Sequence, residues 1–229
     1  MHTLIIGCGP AGYYSATKLK AALPQETITI LDGEGAGFYT KIRLPEYLAG
    51  TLARDKLVFG KAEDLAAKGI TLECGVQALS IDSIKKVVKT SAGDRHWDRL
   101  ILATGARPFV PSIEGDAAEE IHTLRTLADA DAIKGFTAAG TGGSGAWKQA
   151  LVMGGGLLGL EAAHSLIKTG WSVIVVEFFP QLLPRQLSPE SGATVQSILE
   201  GLGFQFKLGR TVKRVEHLKE GARELAISL

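Results

Sequence analysis

The sequence predicts an α/β chain in which one parallel βαβ unit is used twice, and three observations predict it. First, Thr3-Leu4-Ile5-Ile6 and Ala150-Leu151-Val152-Met153 are apolar strand-like runs, and each leads through a glycine turn into a helix-like stretch. Second, each turn is followed about 20 residues on by an apolar β-branched run that ends in an acid. Thr27-Ile28-Thr29-Ile30-Leu31 ends in Asp32, and Ser172-Val173-Ile174-Val175-Val176 ends in Glu177. Third, residues 76–81 and 84–90 alternate apolar and polar positions, as half-buried strands do, which places a small antiparallel meander inside the α/β framework.

The two turns explain the architecture chemically. Gly7-Cys8-Gly9-Pro10-Ala11-Gly12 and Gly154-Gly155-Gly156-Leu157-Leu158-Gly159 carry glycine at the three places a dinucleotide cradle needs it. The first lets the chain turn out of the strand, the second lets a pyrophosphate approach main-chain N–H groups, and the third lets helix and strand pack closely. The anion then lies at a helix N-terminus, where unpaired N–H groups and the macrodipole favour it. Asp32 and Glu177 stand where a carboxylate accepts hydrogen bonds from ribose hydroxyls. The fold class is thus two Rossmann-like dinucleotide-binding domains, each three-layered around a parallel central sheet. The second is expected to be incomplete, because no third apolar strand with a small-residue turn follows its cradle.

Bulk properties narrow the function classes. A chain of 229 residues with 45% hydrophobic content buries a core and suits two modest domains. A formal charge of +1, with mixed signs along the chain, gives no reason to expect nucleic acid or an anionic membrane as partner. No apolar run reaches the roughly 18 residues a membrane span requires. Cys8 and Cys74 stand at neither redox nor metal spacing, so the expected setting is a reducing cytoplasm. Cys8 reads as a small buried filler of the cradle.

In chain order, strand 3–6, helix 11–22 and strand 27–31 make the first unit, with Pro24 in the turn between the last two. Pro45 suits the first turn of a helix on which Leu44, Tyr47 and Leu48 share a face. Lys41 and Arg43 precede it, either as solvated surface charge or as cations beside the pyrophosphate. A short helix is expected at 62–68 and a strand at 70–74, with Val76 opening the meander near the adenine end of a bound dinucleotide. Gly93-Asp94 is expected to turn the meander toward His96-Trp97.

Residues 98–102 read as a buried central strand. Ala103-Thr104-Gly105 then lets backbone approach a ligand, and Arg107 stands at the strand end. A helix is expected at 124–133, N-capped by Thr126 with Asp129 in its first turn. The domains are expected at 1–134 and 150–229, joined by a Gly/Ala/Ser/Thr-rich linker at 135–149. The second unit reads as strand 150–153, helix 157–169 and strand 172–176, followed by a helix at 189–202 and strand-like 204–208, 211–217 and 225–229. His164, three residues after Glu161, is expected to be partly exposed and structural, and no metal site is expected.

These motifs, in this order, resemble the flavin-dependent pyridine-nucleotide oxidoreductases of the glutathione-reductase-like superfamily. The branch is that of NADH:rubredoxin and ferredoxin reductases, NADH oxidases and the flavin part of nitrite reductases. Gly7–Gly12 with Asp32 is similar to the family's FAD fingerprint, residues 39–50 to its flavin-side segment, 103–108 to its Ala-Thr-Gly motif, and Gly154–Glu161 with Glu177 to its NAD fingerprint.

The resemblance implies FAD on the first cradle and NADH on the second, with hydride passing between them. Electrons then leave for an external acceptor: a small iron protein, a quinone or oxygen. It implies no dedicated acid or base, and leaves room for a homodimer. Glu161 would lie beside the nicotinamide; as plain sequence it is a first-turn acid favoured by the helix dipole. Glu177, followed by Phe178 and Phe179 rather than a cation, favours NADH over NADPH.

The departures are specific. Residues 41–45 hold no Cys where disulfide-reducing members carry theirs, Glu46 stands where many members have a lysine, and the Gly-Asp motif for the ribityl chain is absent. Two other readings therefore stand beside the reductase: a non-catalytic dinucleotide-binding or redox-sensing module, and a piece of a longer reductase.

Overall fold

β1 (His2–Ile6), α1 (Pro10–Ala22) and β2 (Thr27–Asp32) form the first βαβ unit of the computed structural model, which describes residues 1–139, 148–218 and 225–229. The strands run parallel with Thr3 opposite Ile28 and Ile6 opposite Leu31. Next come β3 (Phe38–Tyr39), a single 3-10 turn at Lys41–Arg43, α2 (Leu44–Leu48), β4 (Val58–Gly60), α3 (Ala62–Ala66) and β5 (Ile70–Cys74). The meander follows as β6 (Ala78–Asp82), β7 (Val87–Thr90) and β8 (Gly93–His96), then β9 (Arg99–Leu102). The parallel sheet has the order β5-β2-β1-β9, and the meander is antiparallel, β6-β7-β8.

Strand alternation decides what each face covers. Ile5, Ile28 and Ile30 pack with Cys8, Ala16, Phe38, Leu65 and Ile70 on the helical side. Leu4, Ile6 and Leu31 pack with Val88, Val76, Ala78, Trp97 and Leu100 on the meander side. Leu4, Ile5 and Ile30 are fully buried, each worth about 1.5–3 kcal/mol of apolar transfer.

Two local expectations are corrected. β9 is an edge strand rather than a buried central one: β1 has β2 on its other side, and Leu102 is 62% exposed. The meander turns at Ser91-Ala92, and Gly93-Asp94 already belong to β8. Thr90 makes that turn, its hydroxyl accepting from Ala92 N–H at 3.1 Å and donating to Gly93 O at 2.6 Å.

The second unit holds α4 (Leu127–Ala139), β10 (Gln149–Met153), α5 (Leu157–Lys168), β11 (Ser172–Glu177), α6 (Pro189–Gly201), β12 (Phe204–Leu208), β13 (Arg214–His217) and β14 (Leu225–Ser228). β10-β11-β12 is parallel, and β13 pairs with β14 antiparallel. One face of β11 packs Val173 and Val175 on Leu160, Ala163 and Leu166 of α5. The other packs Val176 and Ile174 on Val212, Val215 and Leu225.

The division between units departs from the expected boundaries. Contacts group Met1–Arg43 with Ala53–Arg107, and Leu44–Leu52 with Pro108–Leu229. α2 belongs with the second unit because Leu48 is buried in its core and Tyr47 Oη donates to Asp131 at 2.6 Å. Lys134 Nζ donates to Tyr47 O at 3.2 Å, and Ser165 Oγ to Pro45 O at 2.8 Å.

The linker expectation also changes. α4 runs on through residues 135–139, where alanines are strong helix formers. Residue 149 opens β10, and the middle of the expected linker, 140–147, lies outside the described residues.

Candidate functional site

Among the described residues, four helices have twelve or more residues, α1, α4, α5 and α6, and their N-termini divide into two kinds. Thr126 Oγ1 accepts the Asp129 N–H at 3.1 Å at the start of α4, and Ser188 Oγ accepts the Ser191 N–H at the start of α6. α1 and α5 begin at Gly9 and Gly156 with no side-chain cap. Their first N–H groups are thus left for something other than a side chain, and both follow a glycine turn.

Each turn shows the three demands separately. Gly7 has φ 105 and Gly154 φ 110, left-handed backbone that favours glycine. A Cβ on Gly12 would collide with Gly7 O, and one on Gly159 with Gly154 O. A Cβ on Gly9 or Gly156 would meet nothing within 4 Å. Protein packing therefore does not require glycine at those two positions, whereas a pyrophosphate approaching the N–H groups does. The residues present fit a dinucleotide at each turn.

Other expected residues gather around the first turn. Ala103 N donates to Ile6 O at 2.9 Å, and a Cβ on Gly7 would collide with Ala103 O and lie 3.3 Å from Thr104 Cα. Gly105 takes φ 70 and Arg107 is exposed. Pro10 and Ala11 form the exposed first turn of α1. Val76 is brought to the acid end of β2, because Gly75 N donates to Asp32 O at 2.7 Å.

Asp32 is 4% exposed, and its carboxylate accepts from Gly37 N at 2.7 Å and Glu34 N at 3.1 Å. Burial raises its pKa, against the lowering effect of those N–H groups. Lys41 is not a free cation: Nζ donates to Glu34 Oε1, which Tyr39 Oη also engages through Oε2, and lies 4.8 Å from the Tyr39 ring centroid. Arg43 is half-buried in the same 3-10 turn. Cys8 is buried as expected, its thiol pushed up to about 12 first by burial and then by the Asp32 charge.

At the second turn, Glu177 is 8% exposed. Its Oε2 accepts from Gly155 N at 2.6 Å and its Oε1 from Phe179 N at 2.9 Å. Leu157 and Leu158 are exposed at the start of α5, Glu161 is half-buried one turn on, and Phe178 and Phe179 are exposed beyond the acid. His164 is exposed, its ring 6.2 Å from that of Phe204. Gly155, Leu182 and Leu183 belong to this turn and were not among the expected residues. The signal was a third glycine in Gly154-Gly155-Gly156, where the fingerprint asks for two.

An α/β chain with two uncapped helix N-termini behind glycine turns, each answered by an acid at the end of the next strand, is a protein for two dinucleotides. The chain belongs to the pyridine nucleotide-disulphide oxidoreductase family, which it matches over residues 1–228. Members of this family are FAD-dependent NAD(P)H oxidoreductases.

The chain is 32% identical to the nitrite reductase [NAD(P)H] large subunit of Klebsiella oxytoca, covering 95% of this chain and 22% of that protein. It is 29% identical to a rubredoxin-NAD(+) reductase of Acinetobacter baylyi, covering 100% and 58%. Its fold matches the NADH-bound water-forming NADH oxidase from Lactobacillus brevis with a TM-score of 0.87 at 22% identity, covering 100% and 50%. The chain therefore spans between about a fifth and three fifths of the relatives it matches. Among the described residues, no helix is long and apolar enough to cross a membrane.

Proposed function

We propose that the chain holds FAD at its first glycine turn and NADH at its second, and serves a reductase that passes reducing equivalents from NADH through flavin to an external acceptor. The observation that carries this is the pair of uncapped helix starts where a Cβ would find open space at Gly9 and Gly156. Bound flavin supplies a group that accepts a hydride and releases electrons.

This chain's residues supply the holding and the orientation. Gly7, Gly9, Pro10, Ala11 and Gly12 receive the FAD pyrophosphate. Asp32 and Val76 take its adenosine end, and Ala103, Thr104, Gly105 and Arg107 the flavin side. Lys41 and Arg43 stand beside the pyrophosphate, and Lys41 reaches it by leaving Glu34. Gly154, Gly156, Leu157, Leu158 and Gly159 receive NADH, with Glu177 at the ribose and Glu161 toward the nicotinamide. No residue is assigned as acid or base.

NADH is favoured over NADPH because a 2′-phosphate would face Glu177 with Phe178 and Phe179 beside it instead of a cation. The acceptor favoured by the likeness to rubredoxin reductase is a small iron protein, with quinone and oxygen as alternatives and a reducing cytoplasm as the setting. The purified protein, mixed with FAD, should turn yellow and bleach anaerobically on adding NADH; reoxidation is then timed with a rubredoxin-type protein, a quinone or oxygen. A colourless protein that binds NADH alone would instead support a non-catalytic sensor.

A further inference from the structure

Gly155 lies at a position the fingerprint leaves free, and its surroundings explain the glycine. A Cβ there would meet Leu182 Cδ2 at 2.7 Å and Glu177 Cβ at 3.1 Å. Its backbone is held from two directions. The N–H donates to Glu177 Oε2 at 2.6 Å, and the carbonyl accepts from the Leu183 N–H at 3.1 Å. Leu183 makes that bond from φ 49, left-handed backbone that a leucine rarely adopts. It also precedes Pro184, which disfavours right-handed helical backbone at this position.

In a planar trans peptide the carbonyl and the following N–H point in opposite directions. Fixing Gly155 O on Leu183 therefore aims the Gly156 N–H away from the 180–187 loop, consistent with the open space at Gly156. We propose that Leu183 is a positioning residue of the second cradle. Its left-handed turn brings a backbone N–H to Gly155 and so orients the Gly156 N–H toward the pyrophosphate of a bound dinucleotide. This rests on the reading that the second cradle takes NADH. The half-buried Leu183 side chain packs against the second core, a contribution to stability, and Glu177 holds the other side of Gly155.

Packing and positioning predict opposite orders for two substitutions. Leu183→Val keeps most of the volume, but a β-branched residue holds this backbone poorly; Leu183→Gly loses the side chain and holds it freely. Dissociation constants are measured for NADH and ADP-ribose, which carry a pyrophosphate, and for adenosine, which does not. Leu183→Val should weaken the first two by about tenfold and leave adenosine unchanged. Leu183→Gly should bind all three as wild type does, with a lower melting temperature. Should the Val variant fail to fold, Leu183→Thr, β-branched likewise, takes its place, with a similar loss for the same two ligands.

A Gly variant that loses pyrophosphate ligands as much as the Val variant would overturn the proposal, since side-chain packing would then set the cradle. Wild-type binding by both variants would overturn it equally. A wild-type chain that bound neither NADH nor ADP-ribose would remove the underlying reading as well.

Discussion

Glu177 holds Gly155 through a 2.6 Å hydrogen bond from a cradle N–H to its carboxylate. Asp32, at the matching place in the first unit, turns its oxygens onto Glu34 and Gly37 in its own loop. The two acids share a place in the fold and differ in what they hold. The second cradle is shaped by its acid, whereas the first is shaped by the close fit of Gly7 against Ala103 and Thr104.

Replacing Glu177 should therefore have two effects at once. In Glu177→Ala with Phe178→Arg, the preference for NADH over NADPH should fall, because a repelling carboxylate gives way to a cation. Affinity for NADH should also fall by about tenfold as Gly155 loses its acceptor. Comparing kcat/KM for the two nucleotides checks the first effect and a binding titration the second; an unchanged preference would place the acid away from the ribose.

The glycines should separate cofactor binding from folding. Gly9→Val and Gly156→Val add side chains into open space, so both variants should fold, the first losing FAD alone and the second NADH alone. Gly12→Ala and Gly159→Ala press a methyl onto a carbonyl of the preceding turn. They should lower stability by about 1–3 kcal/mol, read by denaturant titration. Equal loss of both cofactors in Gly9→Val would count against two independent cradles.

The core of each unit was legible in the sequence because strand alternation and glycine spacing are local signals. β1 to β2 and β10 to β11 fall within a residue or so of their expected ends, and Leu44, Tyr47 and Leu48 are buried together. What was not legible depends on contacts distant in sequence. α2 follows the first βαβ unit in the chain yet folds with the second, through Asp131, Lys134 and Ser165. Nothing in residues 98–102 marks β9 as an edge, since strand order is set by pairing. Lys41 reads in the sequence either as surface charge or as a cation beside a pyrophosphate, and only the folded chain shows that Glu34 and Tyr39 stand beside it.

The two thiols should behave differently. Cys8 is 6% exposed with its pKa pushed up to about 12, chiefly by burial, and Cys74 is exposed. A thiol reagent near neutral pH should modify Cys74 alone until the chain is unfolded. Because the folded thiol holds its proton above the ordinary cysteine range of about 8.5, Cys8 contributes stability that is complete below that range and is lost as pH rises toward 12. Cys8→Ala should flatten the alkaline limb of the stability curve; an unaltered limb would show that another group titrates there.

Asp129 carries the last prediction. Burial works to raise its pKa, but N–H bonds from Arg125 and Thr126 and the hydroxyls of Thr126 and Thr123 outweigh it and hold the carboxyl below its ordinary range. With Thr126 it caps α4 reciprocally, since Thr126 N–H donates to Asp129 Oδ2 and Asp129 N–H to Thr126 Oγ1. A carboxyl depressed in the folded state adds stability above its unfolded pKa, and this is lost as pH falls through the folded value. Thr126→Ala should thus cost about 1 kcal/mol at neutral pH, and Asp129→Ala a similar amount or more. The gap between Asp129→Ala and wild type should narrow as pH falls below about 4, followed by urea midpoints at several pH values. A gap of constant size down to strongly acidic pH would mean that α4 is held by packing, and that its charged cap contributes nothing measurable.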